Sequence, residues 1–86
     1  MAMLLKADGS SQDIEPKNRK KFTINELRNI IGGYVEVFKA CDVRYVIANE
    51  EGHVEKLPVN QDATILHPFG SIVVGDVIVC DKAQLP

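Results

Sequence analysis

The chain has 86 residues, of which 45% are hydrophobic and 26% are charged. A chain of this size and composition forms one small folded domain, and its length excludes a catalytic cleft between two lobes. The formal net charge of −2 provides no overall attraction to nucleic acid.

Residues 1–21 are predicted to form a β-hairpin followed by a basic loop, residues 17–21. A turn signal, Asp8-Gly9-Ser10-Ser11, separates two short strands, and Pro16 ends the second one. The first apolar residues are too few for a secretory signal, and no segment approaches the roughly 18 apolar residues of a membrane span. We therefore expect a cytoplasmic protein that makes no membrane contact.

Residues 22–33 predict a short capped helix. The motif Thr23-Ile24-Asn25-Glu26 is a capping box, in which each end residue accepts a hydrogen bond from the backbone N–H of the other. An apolar stripe at helical spacing follows from Ile24, Leu27 and Ile31. Gly32 then ends the helix, because glycine readily adopts the left-handed conformation found there. At about 12 Å such a helix must pack on a sheet to be stable.

The remaining chain is predicted to be rich in strands. Residues 34–57 predict a three-stranded β-meander: residues 34–38 and 43–48 alternate in hydrophobicity, a turn signal follows at residues 49–52, and the last strand covers residues 53–57. Residues 58–71 predict a loop or a short helical turn capped by Asn60. Residues 72–80 are apolar on both faces, which predicts a core strand, bent or turned at Gly75.

Together these elements predict a single α+β domain over residues 1–86. A mainly antiparallel sheet carries one short capped helix packed across it. One helix leaves the second face of the sheet uncovered, and residues 72–80 supply apolar side chains to that face. Because an exposed apolar patch typically marks an interface, we expect a homo-oligomer, in its simplest form a two-fold dimer.

Several short motifs follow one another in a recognisable order. They are Gly32-Gly33-Tyr34-Val35-Glu36, then Asn49-Glu50-Glu51-Gly52, then Leu57-Pro58-Val59-Asn60 with Ala63-Thr64, then Gly70 before Val73-Val74-Gly75-Asp76. In this order they resemble domain of unknown function 3846, a small family of phages, plasmids and bacteria. The resemblance runs over roughly residues 22–80 and leaves the basic loop unplaced. It implies a fold and a mobile-element setting, but no reaction and no catalytic residues.

Catalytic and metal-binding patterns are not found in the sequence. There is no Gly-x-Ser-x-Gly motif, no Walker loop and no His-Glu-x-x-His motif. Zinc needs a grouped set of ligands, whereas the candidate residues are scattered singly: Cys41, His53, His67 and Cys80. We therefore expect a protein that is not an enzyme, with no cofactor and no metal, and with both thiols reduced.

Positive charge is concentrated before and within the predicted helix. From Lys17 to Arg28 there are five basic residues and one acidic residue, a local charge of +4. Residues 1–48 carry eight basic and six acidic residues, whereas residues 49–86 carry two and six. A basic stretch that enters a helix N-terminus is suited to phosphate, although most charge runs are merely solvated. The acidic second half makes long nucleic acid an unfavourable ligand.

The leading hypothesis from sequence is a non-enzymatic phage or mobile-element accessory protein that binds a small phosphorylated ligand at a subunit interface. Its expected role is to sequester a nucleotide immune signal of the host. The candidate phosphate contacts are Arg19, Lys20, Lys21 and Arg28. The candidate contacts for base or ribose are Tyr34, Arg44, Tyr45 and Asn60. The alternative is a protein-interaction module that inhibits or tethers a partner protein, with its charged patches steering association; an enzyme acting on nucleotides ranks third.

Overall fold

The computed structural model describes residues 2–86 of the chain. Five antiparallel strands form one sheet: β1 (Ala2–Leu5), β2 (Ser11–Ile14), β3 (Val35–Lys39), β4 (Arg44–Asn49) and β5 (Val77–Asp81). Their spatial order is β2-β1-β5-β4-β3. The helices are α1 (Ile24–Ile31) and α2 (Gln61–Leu66), and a 3-10 turn follows at Lys82–Gln84. The predicted α+β class, with a mainly antiparallel sheet and a short capped helix packed on it, is confirmed.

The N-terminal hairpin has the predicted form. β1 pairs with β2 so that Ala2 lies opposite Ile14 and Leu5 lies opposite Ser11. On its other side β1 pairs with β5, with Met3 opposite Val79. The first strand is therefore an inner strand of the sheet, and β2 forms one of its two edges.

Helix α1 begins and ends where the sequence signals place it. The Glu26 N–H donates to the Thr23 hydroxyl at 3.1 Å, and the Thr23 N–H donates to the Glu26 carboxylate at 3.0 Å. Gly32 closes the helix with a φ of 89°. The buried side of α1 packs on one face of the sheet, in a core cluster of Ala2, Phe22, Leu27, Ile31, Ile47, Ile78 and Cys80.

The expectation that the second face of the sheet is uncovered is wrong. Helix α2 and the segment before β5 pack there, in a second core cluster of Val46, Ala48, Ala63, Val73, Val77 and Val79. Residues 77–80 alternate between the two clusters, and none of them is more than 7% exposed. The two-sided apolar pattern is thus satisfied within one chain, which removes the reason for expecting an oligomer; the oligomer itself stays a prediction.

Two predicted strands differ from the observed ones. Residues 53–57 form consecutive turns instead of a third meander strand, because local hydrogen bonds such as Leu57 N–H to Gly52 O replace strand pairing. The predicted strand over 72–80 is regular only over Val77–Asp81. The predicted turn at Gly75 is confirmed, with a φ of 79°, and before it Val74 forms an isolated bridge with Val59.

Within residues 2–86, neither helix is long and apolar enough to cross a membrane.

Candidate functional site

The basic loop is exposed and is shaped by one asparagine. Asn18 Oδ1 accepts hydrogen bonds from the backbone N–H groups of Lys20 and Lys21, at 2.8 and 2.9 Å. Arg19 occupies the left-handed region, with a φ of 62°. In the part of the chain that the structure describes, no ion pair neutralises these cations. Their side chains are therefore free to meet an anion from solvent.

The N-terminus of α1, however, already holds a carboxylate of the protein. Glu26 Oε2 accepts the backbone N–H of Lys17 at 2.9 Å, and Oε1 accepts that of Thr23 at 3.0 Å. These hydrogen bonds hold the pKa of Glu26 below its usual value. A ligand phosphate at the helix entrance would meet this negative charge. Any phosphate contact of the basic loop must therefore be made by outward-pointing side chains.

Arg28 and Tyr34 are the two sequence-predicted residues that the structure brings into direct contact. The Arg28 guanidinium carbon lies 5.0 Å from the centre of the Tyr34 ring, within the range of a cation–π interaction. Tyr34 remains 59% exposed. The pair thus presents a guanidinium group and a largely exposed aromatic ring on the surface beside α1.

Arg44 and Tyr45 are neighbours in β4, so their side chains point to opposite faces of the sheet. Tyr45 shares its face with α1, and it lies opposite Lys39 at the far end of β3 from Tyr34. The strand rise puts Tyr34 and Tyr45 about 17 Å apart, too far to stack on one base. Arg44 lines an apolar cleft of about 240 Å³ on the α2 side. The eight predicted contacts therefore do not form one site.

Asn60 is a structural residue, and its predicted contact with a ligand is wrong. It is 1% exposed. Its side-chain amide donates to Leu5 O and to Gly75 O, both at 2.9 Å, and its oxygen accepts the Ala63 N–H at 3.0 Å. The predicted capping of a helical turn is confirmed, and α2 is the helix that it caps.

A pocket of about 150 Å³ lies between the edge strand β3 and residues 67–72, and the sequence did not indicate it. We call it the β3 pocket, and its principal lining residues are Glu36, Phe38, His53, His67, Ser71 and Ile72. Phe38 and His67 form one wall, with their ring centres 4.7 Å apart. Among all the residues that line the pocket, Glu36 is the only Asp, Glu, Lys or Arg.

Two histidines hold the segment that closes this pocket. His53 Nε2 lies 3.1 Å from the carbonyl oxygen of Ile72, and His67 Nδ1 accepts the backbone N–H of Phe69 at 3.1 Å. In the neutral form of His67 the proton is therefore on Nε2. The side chains of the two residues at these contacts are exposed, Phe69 by 90% and Ile72 by 57%. The segment thus presents two large apolar side chains to solvent next to the pocket.

Residues 2–86 contain no group of three or more His, Cys, Asp or Glu side chains that could hold a metal ion. A family model described as Domain of unknown function (DUF3846) matches residues 1–84, which includes the basic loop and the β3 pocket. No curated protein and no solved structure matches the chain.

Proposed function

The chain belongs to the DUF3846 family, and we propose from its own surface that it is a non-enzymatic binding protein whose partner is another protein. The contact surface is the β3 pocket together with two exposed apolar residues: Ile72, which lines the pocket, and Phe69, whose ring centre lies 6.2 Å from that of the lining residue His67. We call this combination the pocket surface. The proposal adopts the interaction module that ranked second in the sequence analysis.

The exposure of Phe69 is the observation that carries this proposal. Leaving a phenylalanine in water forgoes about 1.5–3 kcal/mol of burial free energy, which a partner can recover. The segment that bears Phe69 contacts His53 through the Ile72 carbonyl oxygen and forms a local hydrogen bond between His67 and Phe69, which reduces the ordering needed when a partner binds. An aromatic anchor beside a pocket is typical of the few residues that dominate protein interfaces.

The test compares two variants that each remove one exposed apolar side chain. Phe69→Ser changes the pocket surface, and Val43→Ser changes the turn between β3 and β4, where Val43 is also exposed. Tagged full-length proteins are cross-linked in the native host, and their partners are quantified by mass spectrometry. We expect a specific partner that is lost with Phe69→Ser and retained with Val43→Ser. If a folded Phe69→Ser protein captures the same proteins in the same amounts, the proposal is wrong.

The contact between Arg28 and Tyr34 favours a second candidate function. This is the function ranked first from the sequence: a phage or mobile-element accessory protein in the host cytoplasm sequesters a phosphorylated nucleotide signal. Arg28 would bind phosphate with the outward side chains of Lys20 and Lys21, and Tyr34 would contact the base. Asn60, Arg44 and Tyr45 leave the expected ligand set, because Asn60 is buried, Arg44 lies on the other face of the sheet, and Tyr45 is too far from Tyr34.

This candidate is tested by calorimetric titration with a panel of cyclic and ADP-ribose-type nucleotides. Arg28→Ala and Arg44→Ala remove equal charge from opposite faces of the sheet. We expect binding that falls about tenfold or more with Arg28→Ala and stays unchanged with Arg44→Ala. Native mass spectrometry counts chains and ligands per assembly, which tests the predicted subunit interface as well. The absence of binding across the panel removes this candidate, and a converted product indicates an enzyme.

A further inference from the structure

We infer that the β3 pocket receives an arginine side chain of the partner protein, and that Phe69 and Ile72 pack on apolar residues that flank this arginine. The inference rests on the proposed function and specifies the chemistry of the partner. It follows from the charge, the size and the walls of the pocket.

The charge of the pocket comes from Glu36. Its side chain lies on the same face of β3 as Phe38, and the residue opposite it on β4 is Ala48, which is small and buried. No ion pair or hydrogen bond of the Glu36 carboxylate occurs within residues 2–86. The carboxylate is therefore available to a cation, whereas a ligand phosphate in this pocket would be repelled.

The size of the pocket fits the end of one side chain. A cavity of about 150 Å³ is large enough to hold a benzene-sized group. A guanidinium group is planar and of similar size. A longer segment of the partner would have to remain outside, where it would meet the exposed side chains of Ile72, which lines the pocket, and Phe69, which lies next to His67.

The walls of the pocket favour arginine over lysine. The Phe38 and His67 rings provide flat surfaces, and guanidinium groups stack on such surfaces more readily than ammonium groups do. The planar guanidinium also binds a carboxylate through two parallel hydrogen bonds. An arginine can thus use the carboxylate and the rings of one pocket together.

The surrounding charge would draw a basic segment toward this surface. The turn region that carries the pocket residue His53 contains three acidic residues, Glu50, Glu51 and Glu55, and one basic residue, Lys56. Clustered charge of one sign accelerates association with a partner of opposite sign. The partner segment is therefore expected to be basic overall, with apolar residues next to its arginine.

The experiment selects peptides that bind the full chain and then tests them against matched variants. A random peptide library displayed on phage is panned on the immobilised protein, and the enriched peptides are synthesised for calorimetry. In the protein, Glu36→Gln removes the pocket charge, and Glu15→Gln removes an equal charge beside β2 at the opposite edge of the sheet. In the peptide, citrulline replaces arginine as a neutral group of the same shape.

We expect enriched peptides to share an arginine with apolar neighbours. Glu36→Gln and citrulline should each weaken binding about tenfold or more, and the two changes together should cost little more than one alone. Glu15→Gln should have little effect. Two results would overturn this inference and leave the proposed function intact. In the first, peptides lose binding to Phe69→Ser but bind Glu36→Gln as tightly as the native protein. In the second, peptides that lose binding to Phe69→Ser contain no basic residue. Failure of the proposed function looks different: binding survives Phe69→Ser, or no peptide is enriched.

Discussion

The Glu26 carboxylate accepts a hydrogen bond from the backbone N–H of Lys17, with 2.9 Å between Oε2 and N. The same carboxylate caps α1 through the Thr23 N–H. One side chain therefore fixes the start of the helix and the entry to the basic loop. The backbone at the start of that basic loop is therefore already bound to a carboxylate of the protein itself.

This double anchoring predicts how stability depends on pH. Because the hydrogen bonds lower the pKa of Glu26 from its usual value of 4.5, its stabilisation is fully present above that value. It is lost as the pH falls through the lower pKa of the folded state. The free energies of unfolding of the native chain and of Glu26→Gln, measured in urea, should differ most near neutral pH and converge in acid. A difference that grows as the pH falls would contradict this assignment.

Replacement of Asn60 should be strongly destabilising. Asn60→Ala removes the cap of α2 and the amide donor to one buried and one partly buried carbonyl group, at a total cost of about 3 kcal/mol. Asn60→Asp keeps an acceptor for the Ala63 N–H but loses the amide donor, and it should cost at least as much. Urea unfolding monitored by circular dichroism measures both changes. If the free energy of unfolding falls by less than about 1 kcal/mol in both variants, the Asn60 hydrogen bonds are not needed for stability.

Gly9 and Gly75 both have a positive φ, and a comparison of their alanine variants distinguishes the cost of backbone strain from the cost of a steric clash. Gly9 has a φ of 93° and open space around its Cβ position, whereas Gly75 has a φ of 79° and Leu57 Cδ1 only 2.8 Å away. Gly9→Ala should cost about 1–2 kcal/mol from backbone strain alone. Gly75→Ala should cost more, because the Leu57 side chain must also move. If Gly9→Ala and Gly75→Ala lower the stability measured by thermal unfolding equally, the Leu57 side chain moves aside without cost.

The two cysteines should differ in reactivity. Cys41 is exposed, whereas Cys80 is buried in β5, and burial raises its pKa to about 11. A thiol-disulfide reagent should therefore modify one thiol rapidly in the native protein and two after denaturation. Cys41→Ser should abolish the rapid phase and leave the second thiol protected. Rapid modification of both thiols in the native chain would contradict the burial of Cys80.

The helix α1 could be predicted from sequence because its signals are local. The capping box, the apolar stripe and Gly32 lie within ten consecutive residues and act on one another directly. The same is true of Asn60 as the cap of α2. Its burial could not be predicted, since it depends on contact with Leu5, which lies 55 positions earlier in the chain.

The β3 pocket was missed for the same reason. Glu36, His53 and His67 come from separate segments, and nothing in their spacing places them together. The predicted strand over residues 53–57 placed His53 in the meander, whereas this part of the chain forms turns with local hydrogen bonds such as Leu57 N–H to Gly52 O. The signal that was available is Phe69, a large apolar residue between the turn formers Pro68 and Gly70.

The position of β5 has a consequence for how the chain folds. It is the last strand in sequence, yet it is the strand that joins the hairpin β1–β2 to the hairpin β3–β4. Before β5 emerges from the ribosome, no strand joins the two hairpins, and isolated hairpins are marginally stable in water. Cooperative folding must then wait for the final strand to insert between them, and a nascent chain halted before Val77 would remain accessible to proteases and chaperones.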